Sequence, residues 1–458
     1  MIANRSRSAN GGGAKALVAA VLLAAVGLLA MREDHDPRDQ VPAGRSEVVF
    51  WHFWGGKDRP VVEAIVDRFN AAQSDYFVRA IAMPGNNLDL KFFLSVAGAD
   101  PPDVINQDDP IVADWAHRGA LVPLDELATS GEVAELREWL FPAARALAEY
   151  DGRLYALCNG LDVRALYYNA DILDEFKLTP PRTIAELDHA ALVIAPPDSP
   201  PPRARYGYLP DPRRICSWGI VCGGEFYDGA ADEVTVDSPE IVSALDWMAS
   251  YSRRYGADQV ARFRKGDQAL PGAAFPLLEG RYAMIMDGQW RVAEIAAVQR
   301  AAKERGEKPP RYGVVPLPAP PGGRENAGWV NGNFFVVPRG ARNPSGAWAF
   351  MKFWSGFGGH EVEAARSCAA GGWIPASRRV VEEPEFQDHL RRSPLFAQFV
   401  ELAASPNQRP TPAIVGAQYL QDEVIRAAED SLYKLTPPDE ALRAAQRRVQ
   451  ARQEAERE

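Results

Sequence analysis

The chain has 458 residues, 47% of them hydrophobic and 24% charged, with a formal net charge of -10. That length exceeds what one hydrophobic core ordinarily supports, so two lobes or domains are expected. The acidic balance excludes a nucleic-acid partner, because phosphate binding needs a basic face that releases counterions.

The first segment carries an address. Arg5, Arg7 and Lys15 precede an uncharged apolar run from Ala16 to Met31, and the acidic patch "REDHD" follows at once. This is the charge order of an export signal, with its positive end held in the cytoplasm. The run lies at the upper end of a signal core of about 7–15 residues and below the 18 or so of a transmembrane helix. No small-x-small site follows it, and the first cysteine that could accept a lipid is Cys158. Cleavage therefore stays open. Residues 1–45 are expected to be an export signal or N-terminal membrane anchor, with 16–31 as the anchor, followed by a polar tether. The expected location is periplasmic or otherwise extracytoplasmic.

After the tether the chain alternates. "EVVFWHFW" reads as a strand, "RPVVEAIVDRFNAAQ" as a helix with Val62, Ile65, Val66 and Phe69 on one face, and "YFVRAIA" as a second strand. "LDLKFFLSVAGA" predicts a helix and "PPDVINQ" a short strand. Strands alternating with helices imply a parallel sheet, whose ligands bind beyond the carboxyl ends of the strands. That rim receives Trp51 to Gly56 and "NQDD", Asn106 to Asp109. Side-chain alternation points Trp51 and Phe53 away from His52 and Trp54. Whether these aromatics fold onto the core or line a pocket is the question the stretch raises.

A second mixed block begins near Tyr155 with strand-like "RALYYN" and the helix "TIAELDHAALVIA". The proline-rich "PPDSPPPRARYGYLPDPRR" reads as an irregular surface loop. A helix over "SPEIVSALDWMASYSRRYG" follows, then strands "YAMIMDG", "YGVVPLPAP" and "GNFFVVP", a helix over "NPSGAWAFMKFWSG", and an amphipathic helix from Asp439 onward.

Over residues Val48 to Val449 the order of stretches resembles the bacterial extracellular solute-binding proteins of family 1, the sugar-binding subunits of ABC importers that include the maltodextrin-binding proteins. The stretches are "LVPLDEL", "YDGRLYAL" running into "ALYYNADIL", "PPRTIAEL", "EGRYAMIMDGQW", "YGVVPLPAPPGG", "NPSGAWAFMKFW", "GGWIPAS" and "DEALRAAQRRV". The resemblance implies a periplasmic-binding-protein-like α/β fold, two discontinuous lobes joined by a hinge with the ligand cleft between them. It divides the chain into 46–157 and 333–380 as lobe 1 and 158–332 and 381–458 as lobe 2. The implied crossings lie near Leu157 to Gly160, near Asn331 to Phe334 and around Val380. Cys158 and Asn159 stand where relatives commonly have a proline.

Such a cleft suits the residues present. A sugar offers apolar C–H faces and a ring of hydroxyls, so its site needs flat aromatic plates and fixed polar groups. Among the 11 tryptophans, Trp54, Trp218, Trp290, Trp329 and Trp373 sit at loop mouths beside glycine or amide neighbours. Trp218 and Trp290 fall where maltodextrin-binding relatives place stacking tryptophans. Trp115, Trp247, Trp348 and Trp354 lie in helical patterns and read as core. Asp109, Asn331 and Asn333 are candidate hydroxyl partners, Asp287 either binds or sets a turn, and His52 either donates or packs. Arg366 reads as a solvated helix face.

No cofactor and no metal is expected: a CxxC pattern is absent, and Cys216 and Cys222 are near enough in sequence to pair without the spacing deciding it. An enzyme is not expected. A glycan-active enzyme would need a carboxylate pair in a motif, and no GxSxG, HExxH or Walker loop is present. The expectation is a monomeric binding protein that captures a carbohydrate by hinge closure and delivers it to an ABC transporter permease. The alternative is a tethered solute sensor of the same fold.

Overall fold

The computed structural model describes residues 40–457 apart from 57, 84–87, 109–110, 200–203 and 268–274. The export or anchor segment and Asp109 therefore lie outside the described residues. Among the described residues no helix is long and apolar enough to cross a membrane.

The strands that position the site are β1 (Ser46–His52), β2 (Tyr76–Ala82), β3 (Val104–Asp108), β4 (Ala156–Asp162), β5 (Arg164–Asn169), β6 (Met284–Gly288), β7 (Tyr312–Val315), β8 (Gly328–Val336) and β9 (Gln408–Pro410). The helices used below are α1 (Arg59–Ala72), α2 (Leu88–Ala97), α3 (Pro239–Tyr255), α4 (Arg291–Glu304), α5 (Pro344–Ser355), α6 (Glu361–Gly371), α7 (Pro384–Arg392), α8 (Pro394–Ala403), α9 (Ala417–Tyr433) and α10 (Pro438–Arg457).

The larger sheet runs β9-β8-β3-β1-β2, and β4 also pairs with β8. β1 is parallel to β2 and β3, with Phe50 opposite Ala80 on one side and Val104 on the other. β8 is antiparallel to both β3 and β4, with Asn333 opposite Asp108 and Gly160, and its register shifts between Asn333 and Phe334. The smaller sheet is β6-β5-β7, antiparallel throughout.

Local sequence accounts for the elements. In α1, Pro60 occupies the first turn, where its missing N–H costs nothing, and Val62, Ile65, Val66 and Phe69 bury one face. In α5, the Asn343 side chain accepts from the Gly346 N–H at 3.0 Å, and Gly356 closes the helix at φ +98°, a conformation that favours glycine.

Two apolar cores result. The first, on the larger sheet, holds Val48, Phe50, Phe335, Phe350 and Trp354, with Phe50 5.1 Å from Phe350 and 5.9 Å from Trp354. It also holds Trp115, stacked on Phe92 at 3.7 Å, and Trp348. The second gathers Tyr208, Trp218, Met248 and Tyr251 with residues of α9 and α10. Val380 is fully buried in the first core, as are Phe386 and Phe396 of α7 and α8, whereas the sequence division places 381–458 in the second lobe. Phe399 of α8 lies 5.5 Å from Tyr167 of β5. The stretch after Val380 thus packs against both sheets. All four cysteines are free, Cys216 and Cys222 included.

Candidate functional site

β1 ends at His52, and the next residues carry two rings over the carboxyl ends of the parallel strands. Phe53 and Trp54 stack at 4.9 Å, and Trp54 lies 5.5 Å from Trp354 and 5.4 Å from Trp373. Trp54 is only 6% exposed, yet it borders a cavity of about 620 Å³. Trp54 thus both rests on the core and presents its remaining surface to the cavity. Burial alternates as the strand dictates, with His52 and Trp54 buried and Trp51 and Phe53 partly exposed.

The cavity has contributions from both sheets. Trp54, Asp58, Asp108, Asn333 and Trp373 come from the side of the larger sheet, Asp162 from the end of β4, and Gln289 and Trp290 from the turn between β6 and α4. His389 and Arg392 of α7 close one side. The Asn333 amide donates to the Asp108 carboxylate, fixing both groups at the rim. Burial pushes the Asp162 carboxyl up, and the charge of Arg164 opposes that shift.

Two glycines make room for the rings. A Cβ on Gly288 would lie 2.1 Å from the Trp290 ring, and one on Gly160 would lie 2.9 Å from the Trp373 side chain. Both tryptophans therefore lie against bare backbone. Trp290 also has the Arg164 guanidinium over its ring, 5.2 Å from its centroid and 5.2 Å from that of Trp329.

Several expectations need correction. Trp218 is fully buried, 4.6 Å from Trp247 in the second core, so it offers no face to a ligand. Its helical neighbours Ile215 and Val221 are buried too, which marks a core segment rather than a loop mouth. Asp287 accepts from Arg214 at 3.2 Å, Arg291 at 2.8 Å and its neighbour's N–H at 2.9 Å, a closed ion-pair node outside the cavity wall. Asn331 accepts from Arg164 and does not border the cavity. Trp329 donates to Thr411 at 3.0 Å and borders a separate cavity of about 220 Å³ beside Cys216 and Phe226. His52 is 2% exposed between Phe50 and Trp54, and burial above all, with the charge of Arg59, lowers its pKa to about 4. It supports Trp54 as a neutral ring and lies outside the cavity wall. Trp247 is half-buried, donating to Asp188 at 3.0 Å.

Of the ten candidates the cavity brings together Trp54, Trp290, Asn333 and Trp373. Sequence reasoning set Asp108 at the rim, within Asn106 to Asp109, without naming it as a hydroxyl partner, and passed over Asp58, Asp162 and Gln289. Asp108 was visible as the neighbour of Asp109, and Gln289 as the residue before Trp290. Asp162 carried no signal beyond its place at a strand end.

The sequence model of the bacterial extracellular solute-binding proteins matches residues 64–392. This chain belongs to that family. The maltooligosaccharide ABC transporter solute-binding lipoprotein of Streptococcus pneumoniae is 24% identical over 208 residues, 44% of this chain and 45% of that protein. The match thus spans about half the length of that curated relative. Among solved structures, the sugar-binding protein MalE of Xanthomonas citri superimposes with a TM-score of 0.72 at 20% identity, covering 90% of this solute-binding protein and 98% of that chain. The GacH receptor of Streptomyces glaucescens, solved unliganded and with acarbose, gives 0.70 at 22% identity, with 90% and 99% covered. A protein solved with mannotriose bound gives 0.72 at 24%, with 88% and 99% covered. These likenesses establish the two-lobed α/β fold.

Proposed function

We propose that this protein captures an oligosaccharide in the cleft between its lobes and delivers it to an ABC importer permease, acting outside the cytoplasm as a monomer. The observation that carries the reading is the cavity of about 620 Å³ lined by Trp54, Trp373 and Trp290 together with Asp58, Asp108, Asp162 and Asn333. Aromatic plates meet the C–H faces of a sugar while carboxylates and amides meet its hydroxyls. The sugars named for the relatives favour the same class. A ligand that bridges both lobes favours the closed form by its contacts with each, and no bond is made or broken. Residues 1–45 serve as export signal or anchor and tether, and the chain crosses between the lobes near 157 and 332.

Thermal shift and calorimetric titration against maltotriose, mannotriose, monosaccharides and glycerophosphodiesters test this. A ligand at 100 times its dissociation constant adds about 2.7 kcal/mol to stability and raises the midpoint. A panel in which only non-carbohydrates move the midpoint overturns the reading.

A further inference from the structure

Gln289 is 2% exposed, and its whole amide is engaged by the end of β4. Its Oε1 accepts from the Val163 N–H at 3.2 Å, and its Nε2 donates to the Leu161 carbonyl at 3.2 Å and to the Asp162 carboxylate at 2.5 Å. Three consecutive residues of the segment beside β8 are thus held by one side chain that enters from the smaller sheet's side. The next residue along is Trp290, whose ring borders the same cavity as Asp162.

We propose that Gln289 is a positioning residue of the cleft, one that fixes the Asp162 carboxylate and the Trp290 ring in a single mutual geometry before a ligand arrives. The proposal rests on the reading of this cavity as the ligand site. A polar acceptor and an aromatic plate placed in advance spare the ligand the ordering cost of assembling them, and a loosely supported pair loses affinity. The alternative pull on Asp162 is evident: Arg164 and Arg214 both attract it. Arg214 is in turn engaged by Asp287, which also holds Arg291. Without the Gln289 amide the carboxylate is free to turn towards those cations.

Gln289→Glu separates positioning from bulk. The substitution keeps the shape and the acceptor for Val163 but removes both N–H donors and sets a second carboxylate against Asp162. Two buried carboxylates in contact share one proton, and their interaction exceeds about one pK unit. When the pair is singly protonated, the acid O–H donates to its partner as the amide did. When both ionise, they repel. The other charges around the pair, Arg164, Arg214, Asp287, Asp108, Asp58, His389 and Arg392, are common to wild type and variant, so the wild type measured at both pH values is the reference.

The experiment uses the full chain, with maltotriose and mannotriose titrated calorimetrically at pH 5 and pH 8 into wild type, Gln289→Glu and Gln289→Ala. The affinity of Gln289→Glu relative to wild type is expected to fall at least about tenfold from pH 5 to pH 8, while Gln289→Ala binds more weakly at both. A Gln289→Glu ratio that is equal at the two pH values overturns the proposal. If the wild type binds neither trisaccharide, the oligosaccharide reading fails separately. The ligand-free indole N–H resonance of Trp290 then decides the proposal: it moves between pH 5 and pH 8 further in Gln289→Glu than in wild type, and equal movement overturns it.

Discussion

Replacing Trp54 by alanine tests whether one side chain can serve both core and cleft. The indole is 6% exposed and touches Phe53, Trp354 and Trp373. A buried tryptophan removes about 150–250 Å² from water, worth roughly 4–6 kcal/mol at about 25 cal/mol per Å². Alanine keeps part of that area, and the hole opens onto a cavity that water can enter, so the lower end of the usual range, about 3 kcal/mol, is expected. Binding should weaken as well, by about 1–2 kcal/mol or roughly five- to thirtyfold, because one plate of the cleft is gone. Trp290→Ala is the control: its ring is half-buried, so it should lose affinity with little change in stability. Denaturant unfolding without ligand and calorimetric titration with the best sugar of the panel measure the two quantities independently. A Trp54→Ala protein of wild-type stability would refute the packing argument, and one destabilised but of unaltered affinity would return Trp54 to the core alone.

Trp218→Ala is expected to cost about 3–5 kcal/mol of stability and to change affinity less than threefold, as equilibrium unfolding and titration of the same preparation will register. Gly288→Ala places a Cβ 2.1 Å from the Trp290 ring, so the ring must move; fluorescence titration should show weaker binding with a melting point close to wild type. The His52 pKa falls in the folded state from 6.5 to about 4, so the unfolded chain binds more protons between those values. The stability His52 contributes is then complete above pH 6.5 and is lost as the pH falls towards 4, by roughly 3 kcal/mol at about 1.36 kcal/mol per unit. His52→Phe should flatten that part of the stability profile, and an unchanged slope contradicts the assignment. Burial pushes the Cys216 thiol up to about 12, so at pH 8 it should resist iodoacetamide in the native protein and react after unfolding, as mass spectrometry of the labelled chain would report.

What the sequence determined by itself was whatever depends on neighbours along the chain. Period-two and period-3.6 patterns located β1, α1, β2, α2 and β3, and the parallel sheet followed from their alternation, because such patterns reflect which face each element buries. Helical spacing likewise marked Trp115, Trp348 and Trp354 as core, which their burial reflects. Tertiary structure decided what depends on residues far apart. Trp218 and Trp290 look alike in sequence, each beside a glycine or an amide, but one enters the second core and the other lies on Gly288 above a cavity. Asp287 reads as a residue that either binds or sets a turn until Arg214, 73 residues away, closes on it. Asp162 becomes a cleft residue only because Gln289, 127 residues later, folds back to hold it. Side-chain spacing encodes the face of an element, whereas the occupant of the space opposite is supplied by another part of the chain, and a binding cleft is made of such opposed surfaces.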